Sequence, residues 1–289
     1  MKNHYRPYPA HDMCVSFHDI FVSLKGYGCL IMKEKIYTIP VTDAFAVDCE
    51  CPLCVLEKKL EDESVDYALG PALMEPDKRQ ETNEQGFCKT HFEAMYNKQV
   101  NRLGLALMID TFLQEKNNNI KKTYDSKSAS LEKDATSGLV KNLSNKLSSR
   151  QSETEKLVAE LVSQLESIEN SCAICSKLER TMDRYIDVVF YLYFKEPEFR
   201  EKFHSKKGFC LKHLKQLLTS TKKYLNVNET AIFTKNLMEI QLSNMERIEK
   251  EVDWFTKKFD YRFNDAPWGN SKDAVIRSIQ KIRGNSDLK

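Results

Sequence analysis

Cys51-Pro52-Leu53-Cys54, followed by Gly86-Phe87-Cys88-Lys89-Thr90-His91, is written a second time as Cys172-Ala173-Ile174-Cys175, followed by Gly208-Phe209-Cys210-Leu211-Lys212-His213. The two C-x2-C pairs stand 121 residues apart, and the two G-F-C-x2-H segments 122. Between them Glu75-Pro76-Asp77 matches Glu196-Pro197-Glu198, and Arg79 matches Arg200, still at 121. Chance motifs would not keep one register over such a distance. The pattern implies an internal duplication with one residue inserted between Arg200 and Gly208. Its period is far longer than that of a solenoid.

These residue types at this spacing suit a metal. Zinc takes four tetrahedral ligands, and thiolate and imidazole are among its preferred donors. Two residues three apart at a helix start face the same way and can grip one ion together. The helix N-terminus favours thiolate over thiol. Gly86 and Gly208 precede the third ligand by two positions, where a chain reversal calls for positive φ. The expected sets are Cys51/Cys54/Cys88/His91 and Cys172/Cys175/Cys210/His213, one zinc in each module and two per chain. An iron–sulfur cluster on three Cys and one His is the less usual alternative. Covalent haem would need His after C-x2-C, where Val55 and Ser176 stand. A redox C-x2-C would leave the paired Cys and His unexplained. Four protein ligands leave no open position, so both sites are expected to be structural rather than catalytic.

Composition narrows the rest. The chain has 289 residues, 41% hydrophobic and 30% charged, enough for one large or two ordinary domains. Nine Gly and eight Pro are few and favour helices over sandwiches or barrels. With 44 basic and 42 acidic residues, no global nucleic-acid or membrane footprint exists. No apolar run approaches the roughly 18 residues of a membrane span. The expected setting is cytoplasmic, where thiols stay reduced.

Taken in order, residues 1–31 fit poorly with the remainder and are expected to be a non-core extension, with Met32 as a plausible start. Thr42-Asp43 is a candidate cap for a brief helix. The first module covers 32–122. It holds a helix from Cys54 to Leu69, a turn-rich connector over 72–87, and one helix from Cys88 to about 120. Leu103, Leu105, Ala106, Met108, Ile109, Phe112 and Leu113 give that helix a wide apolar stripe, expected to be buried on most sides. Residues 114–136 are polar and are the best candidate for a linker or a solvated helix–helix connection, and a partly helical connector is expected over 123–156. Leu139, Val140, Leu143 and Leu147 mark a short helical face. The second module, 157–289, opens on the stripe Leu157, Val158, Leu161, Val162, Leu165 and Ile168. It continues through the second ligand pair into a long helix near Asn228. There Met238, Leu242, Met245, Ile248, Val252, Phe255 and Phe259 form a packing seam. The expected fold is therefore all-α: a duplicated helical module, each copy stapled by a Cys3His site, with long packing helices.

Two further groups draw attention. Cys49 precedes the first pair, and its counterpart 121 residues on is Asn170. It is an alternate ligand, a reactive thiol beside the site, or a passive small residue. Asp260, Tyr261, Arg262, Trp268, Asp273 and Arg277 gather charge and aromatic rings in a short span. They line a ligand pocket, or they form a clasp that docks the last helix. Ser271 is the candidate N-cap of that helix, and its apolar Val275, Ile276, Ile279 and Ile282 favour the clasp.

Several stretches resemble a known family: Met32-Lys-Glu-Lys-Ile-Tyr-Thr-Ile-Pro40, Cys49-Glu-Cys-Pro-Leu-Cys54, Leu69-Gly-Pro-Ala72, Gly86-Phe-Cys88, Asn101-Arg-Leu-Gly-Leu-Ala-Leu-Met108, Lys258-Phe-Asp-Tyr-Arg262 and Pro267-Trp-Gly269. They are similar to the bacterial family of domain of unknown function 6062, from about residue 32 to the C-terminus. The resemblance implies no established activity.

Four functions compete. The first is a zinc-binding scaffold that engages a protein partner. The second is a nucleic-acid binder using Lys206, Lys207, Lys212, Lys215, Lys222 and Lys223, although acidic residues balance these over the whole chain. The third is an enzyme with a site near 260–277, for which no nucleophile–base pair, phosphate loop or dinucleotide fingerprint appears. The fourth is a redox or metal sensor working through Cys49. The scaffold accounts for most of the sequence.

Overall fold

The computed structural model describes residues 28–136 and 152–284, with side chains from Tyr37 onward. Eleven α-helices and three short 3-10 turns make up the secondary structure of the described residues, with no strand. The helices are α1 (Gly28–Ala46), α2 (Pro52–Leu69), α3 (Pro76–Gln85), α4 (Lys89–Lys98), α5 (Arg102–Thr136), α6 (Glu153–Asn170), α7 (Ala173–Lys195), α8 (Pro197–His204), α9 (Leu211–Tyr224), α10 (Val227–Lys257) and α11 (Ala274–Arg283). The all-α expectation is met. Residues 1–27, including Cys14, and the face at Leu139, Val140, Leu143 and Leu147 lie outside the described residues. α1 runs across the 31/32 boundary expected from the sequence.

Local chemistry starts each ligand-bearing helix. Cys51 and Cys172 are the N-caps of α2 and α7, with φ/ψ of −156/106° and −162/121°. Cys88 and Cys210 are the N-caps of α4 and α9, with −71/167° and −69/159°. Pro76 and Pro197 occupy the first turns of α3 and α8, where a fixed φ and a missing N–H do no harm. Gly86 and Gly208 take φ of +61° and +84°, as the expected reversal requires.

Several boundaries differ from the sequence reading. The expected connector over 72–87 contains all of α3, because Pro76 starts a helix rather than a turn. The expected single helix from Cys88 breaks at Gln99, whose φ is +56°. Asn101 opens the next helix: its Oδ1 accepts from the Gly104 N–H at 2.9 Å while its amide donates to the Leu69 carbonyl. The polar stretch 114–136 is the last two-thirds of α5, about 52 Å long in all. It forms a hairpin with α6, through Lys127–Glu160, Thr123–Gln164 and Asp134–Thr154 contacts of 2.6 Å each. Thr42 lies inside α1 rather than capping it, its hydroxyl donating to the carbonyls of Thr38 and Ile39. Asp273, not Ser271, is the N-cap of α11; Ser271 ends the turn before it and is buried.

The apolar stripes are narrower than their composition suggests. On α5 only Gly104, Leu105 and Met108 of the expected region are buried, whereas Leu103, Leu107 and Leu113 face outward. On α10 the buried row is Phe233, Leu237, Gln241 and Ile248. Leu242 and Phe259, assigned to the seam from spacing, are 61% and 75% exposed.

The core joins the two halves. Phe45 of α1 stacks on Phe203 of α8 at 5.8 Å and meets Phe199 and Phe209, in an aromatic cluster that continues through Tyr193, Phe190 and Phe233. α1 thus packs against α7 and α8, and α2 packs against α7. A second cluster sets Val65, Leu69, Phe87, Met95, Leu105 and Met108 against Cys172, Ala173 and Ile174. Such aromatic pairs contribute about 0.5–1.5 kcal/mol each beyond their burial.

Candidate metal centres

The eight expected ligands come together as two tight clusters, but crosswise. One holds Cys51, Cys54, Cys210 and His213; the other holds Cys88, His91, Cys172 and Cys175. In each, the ligand atoms all lie within 4.8 Å of one another. The grouping expected within each module is therefore corrected: every C-x2-C meets the G-F-C-x2-H of the other half. The cause is tertiary. α2 and α7 pack side by side, and the Ala173 N–H donates to the Gly86 carbonyl at 3.0 Å, which brings the start of α7 to the reversal of the first half.

The geometry fits a tetrahedral ion. With metal–sulfur and metal–nitrogen bonds typical of zinc, tetrahedral S···S and S···N edges come to about 3.8 and about 3.6 Å. Here Cys54–Cys210 and Cys88–Cys175 sulfurs are 3.6 and 3.8 Å apart. His213 Nδ1 lies 3.4, 3.3 and 3.2 Å from the sulfurs of Cys51, Cys54 and Cys210. His91 Nδ1 lies 3.2, 3.3 and 3.4 Å from Cys88, Cys172 and Cys175. Both rings thus turn the same nitrogen inward.

The outward nitrogens carry a feature that the sequence reading missed. His213 Nε2 is 3.4 Å from Glu57 Oε2, and His91 Nε2 is 3.2 Å from Glu61 Oε1. Neither Nε2 has a well-aligned hydrogen-bond partner, so these are contacts of charge and distance. A carboxylate on the far side of a ligating His fixes its tautomer and raises its basicity. Two Glu four apart, on the helix that opens with the first Cys pair, were the available signal.

Electrostatics also favours a cation. Burial pushes the Cys51 thiol well up, and sharing with Cys210 and Cys54 pushes it further. Burial and Cys172 push Cys175 up to about 12. Burial opposes charge on His213, yet Cys210, Cys54 and Glu57 raise it to about 11. Three crowded sulfurs resist ionising together unless a positive centre lies among them. A bound ion would supply it, held by three thiolates and one imidazole with no position left for water or substrate. The first cluster is buried throughout; the second reaches the surface at Cys175.

The remaining candidates disperse. Cys49 is half-buried beside Cys51, and burial raises its thiol pKa, which lowers its reactivity. Asp260 and Arg262 pair with each other on the surface, and Tyr261 is 83% exposed. Trp268 packs on Phe255 at 5.8 Å and over the Lys258 ammonium. Asp273 and Arg277 belong elsewhere: Arg277 pairs with Asp273, Glu251 and Glu50. The six residues therefore do not converge on one space. Four lysines of the basic run are engaged within the chain: Lys206 with the Val47 carbonyl, Lys207 with Asp48, Lys212 with Glu57 and Lys223 with Asp183. No described helix is long and apolar enough to cross a membrane.

An all-helical chain with two Cys3His clusters defines the class of protein. It belongs to a family of unknown function, DUF6062, whose model matches residues 32–289. It is also similar to an uncharacterized 23.9 kDa protein of the xynA 3' region of Caldicellulosiruptor sp. (strain Rt8B.4), 26% identical over 93 residues. The match covers 32% of this chain and 46% of that relative. No solved structure matches.

Proposed function

We propose that this chain is a helical scaffold in which two structural zinc ions bind its halves to one another. The observation that carries the reading is the crossing of the ligand sets, because an ion in either cluster ties α2 or α4 of the first half to α7 or α9 of the second. The matched cap dihedrals and glycine conformations support descent of the halves from one duplicated module. Closed sets of four protein ligands support a structural rather than a catalytic role. The same reading places the chain in a reducing, cytoplasmic setting, where free thiolates persist.

The scaffold's task is to hold a protein partner. α6 supports this: Val158, Val162 and Leu165 follow one another at helical spacing and are 52, 46 and 54% exposed. Side chains of this kind in a row mark an interaction face more often than isolated ones do. Elemental analysis of protein purified without chelator is expected to give two zinc ions per chain. Absence of zinc, or an iron–sulfur absorption spectrum, would overturn the metal assignment. Affinity capture from the native cell, repeated with Val158, Val162 and Leu165 changed to Lys, tests the partner. A captured protein retained by the triple variant would count against this face.

A further inference from the structure

Beside the cluster that holds Cys88 and Cys172, a cleft of about 380 Å³ opens between α2 and α3 of the first half and α7 of the second. Its charged lining is one-sided. Lys78, Lys177, Arg180 and Arg184 face it, against the single carboxylate of Glu81. Lys177, Arg180 and Arg184 follow at i, i+3 and i+7 on α7 and so form one wall, with Lys78 on α3 across from them.

The carboxylate does not serve all four cations. Glu81 receives Lys78 at 2.9 Å and Arg180 at 3.2 Å. Lys177 and Arg184 have no carboxylate within ion-pair distance among the described residues. Each rests on a tyrosine instead. The Lys177 ammonium stands 4.9 Å from the centre of the Tyr67 ring, and Arg184 donates to the Tyr37 hydroxyl at 2.9 Å. Lys177 is half-buried and Arg184 exposed, and both line the cleft with aromatic rings at hand.

We propose that this cleft binds a small phosphorylated molecule, its phosphate held by Lys177, Arg184 and the neighbouring Arg180. The two unpaired cations match the charge of one phosphate monoester, about −1.5 to −2 near neutral pH. Guanidinium groups suit phosphate oxygens through paired N–H donors. Tyr67, Phe87 and Ile174 give a planar or apolar body a surface to lie on. The proposal stands on the cleft alone and does not depend on which ion the clusters hold.

Isothermal titration calorimetry on the full chain tests it, with AMP, pyrophosphate and citrate as probes. Saturable binding of AMP or pyrophosphate, weakening as salt rises, is expected. Lys177→Met and Arg184→Gln should each weaken it at least about tenfold, with melting temperature and metal content kept. Lys250→Gln removes the same charge from a distant, exposed site and should change nothing. Binding of citrate alone would overturn the phosphate assignment. No saturable binding of any probe, or equal binding by all variants, would overturn the site. Should the variants fold poorly, the wild-type protein still decides: bound AMP or pyrophosphate must shield Lys177 from acetylation, and an unshielded Lys177 overturns the proposal.

Discussion

Glu57 and Glu61 lie one turn apart on α2, and each approaches the outward ring nitrogen of a different cluster's histidine, His213 and His91 respectively. One helix thus supports both centres. The arrangement does not follow the repeat, since the positions 121 residues later are Leu178 and Met182. Lys212 also pairs with Glu57 at 2.6 Å and helps keep that carboxylate ionised. Glu57→Gln is expected to weaken metal at Cys51/Cys54/Cys210/His213 about 10–100-fold, and Glu61→Gln to do so at the other cluster. Chelator competition with site-by-site metal release measures both. Equal effects of either change on the two sites would refute the pairing.

The crossing itself has a stoichiometric signature. Cys54→Ser with Cys210→Ser removes two ligands of one cluster and should leave one ion per chain. Cys54→Ser with Cys88→Ser removes one ligand from each and should weaken or abolish both ions. Pairing within each half would give the reverse. Metal analysis of the two double variants separates the cases. Chelation should destabilise both halves together, because binding free energy at such sites is folding free energy.

The ligands were legible in the sequence because their grip is local: a three-residue spacing at a helix start fixes which two donors share a turn. Which C-x2-C meets which G-F-C-x2-H is set by contacts across more than 100 residues, such as Phe45 on Phe203, and spacing carries no trace of them. The all-α class was legible from composition and period. Polar residues 114–136 misled because a solvated hairpin helix and a linker share a composition; only α6 lying along Ile120 and Thr123 distinguishes them. The α10 seam misled because several phases of an apolar-rich helix look alike, and Gln241, a polar residue, belongs to the buried row.

Glu50 should be among the most costly positions to change. It is 5% exposed and carries Arg247 through two contacts, of 2.9 and 2.7 Å, and Lys281 at 3.0 Å. Lys281 is itself 1% exposed and donates to the backbone carbonyls of Glu50 and Lys207. Through this network α11 is fastened beside the buried cluster. Glu50→Ala would leave the buried Lys281 ammonium without its counter-charge, at a cost of about 3–5 kcal/mol. Thermal or denaturant unfolding measures it; a loss below about 1 kcal/mol would show that water replaces the carboxylate.

Lys258, more than Trp268, is expected to anchor the chain where it folds back after α10. Lys258 is 5% exposed, and its ammonium takes the carbonyls of Phe263, Asn264 and Ala266, folding the chain back after α10. Lys258→Met keeps the stem and loses the charge. It is expected to cost about 1.5–3 kcal/mol, the range for hydrogen bonds to a charged group. Trp268→Ala should cost less than the 3–5 kcal/mol of a fully buried aromatic, because its ring is only half-buried. Comparing the two melting curves ranks them, and a larger loss for Trp268→Ala would make the ring the anchor.

Gly208 concentrates two constraints on one atom. Its φ is +84°, and a Cβ there would sit 2.8 Å from Gln241 Oε1. That oxygen accepts from the Phe209 N–H at 2.8 Å, while the Gln241 amide donates to the Phe209 carbonyl at 3.0 Å. The clamp holds the residue just before the Cys210 ligand. Gly208→Ala therefore strains the backbone by about 1–3 kcal/mol and pushes on the clamp. Gly86→Ala meets the Phe112 ring instead, at 2.5 Å, and that side chain is half-buried on α5. The expected result is lower stability for both variants, with weaker metal retention at the cluster containing Cys210 for Gly208→Ala and at the cluster containing Cys88 for Gly86→Ala. Melting temperature and chelator-resistant zinc, measured on the same samples, check this. A Gly208→Ala protein of unchanged stability and metal retention would mean that the reversal before Cys210 does not need the left-handed conformation.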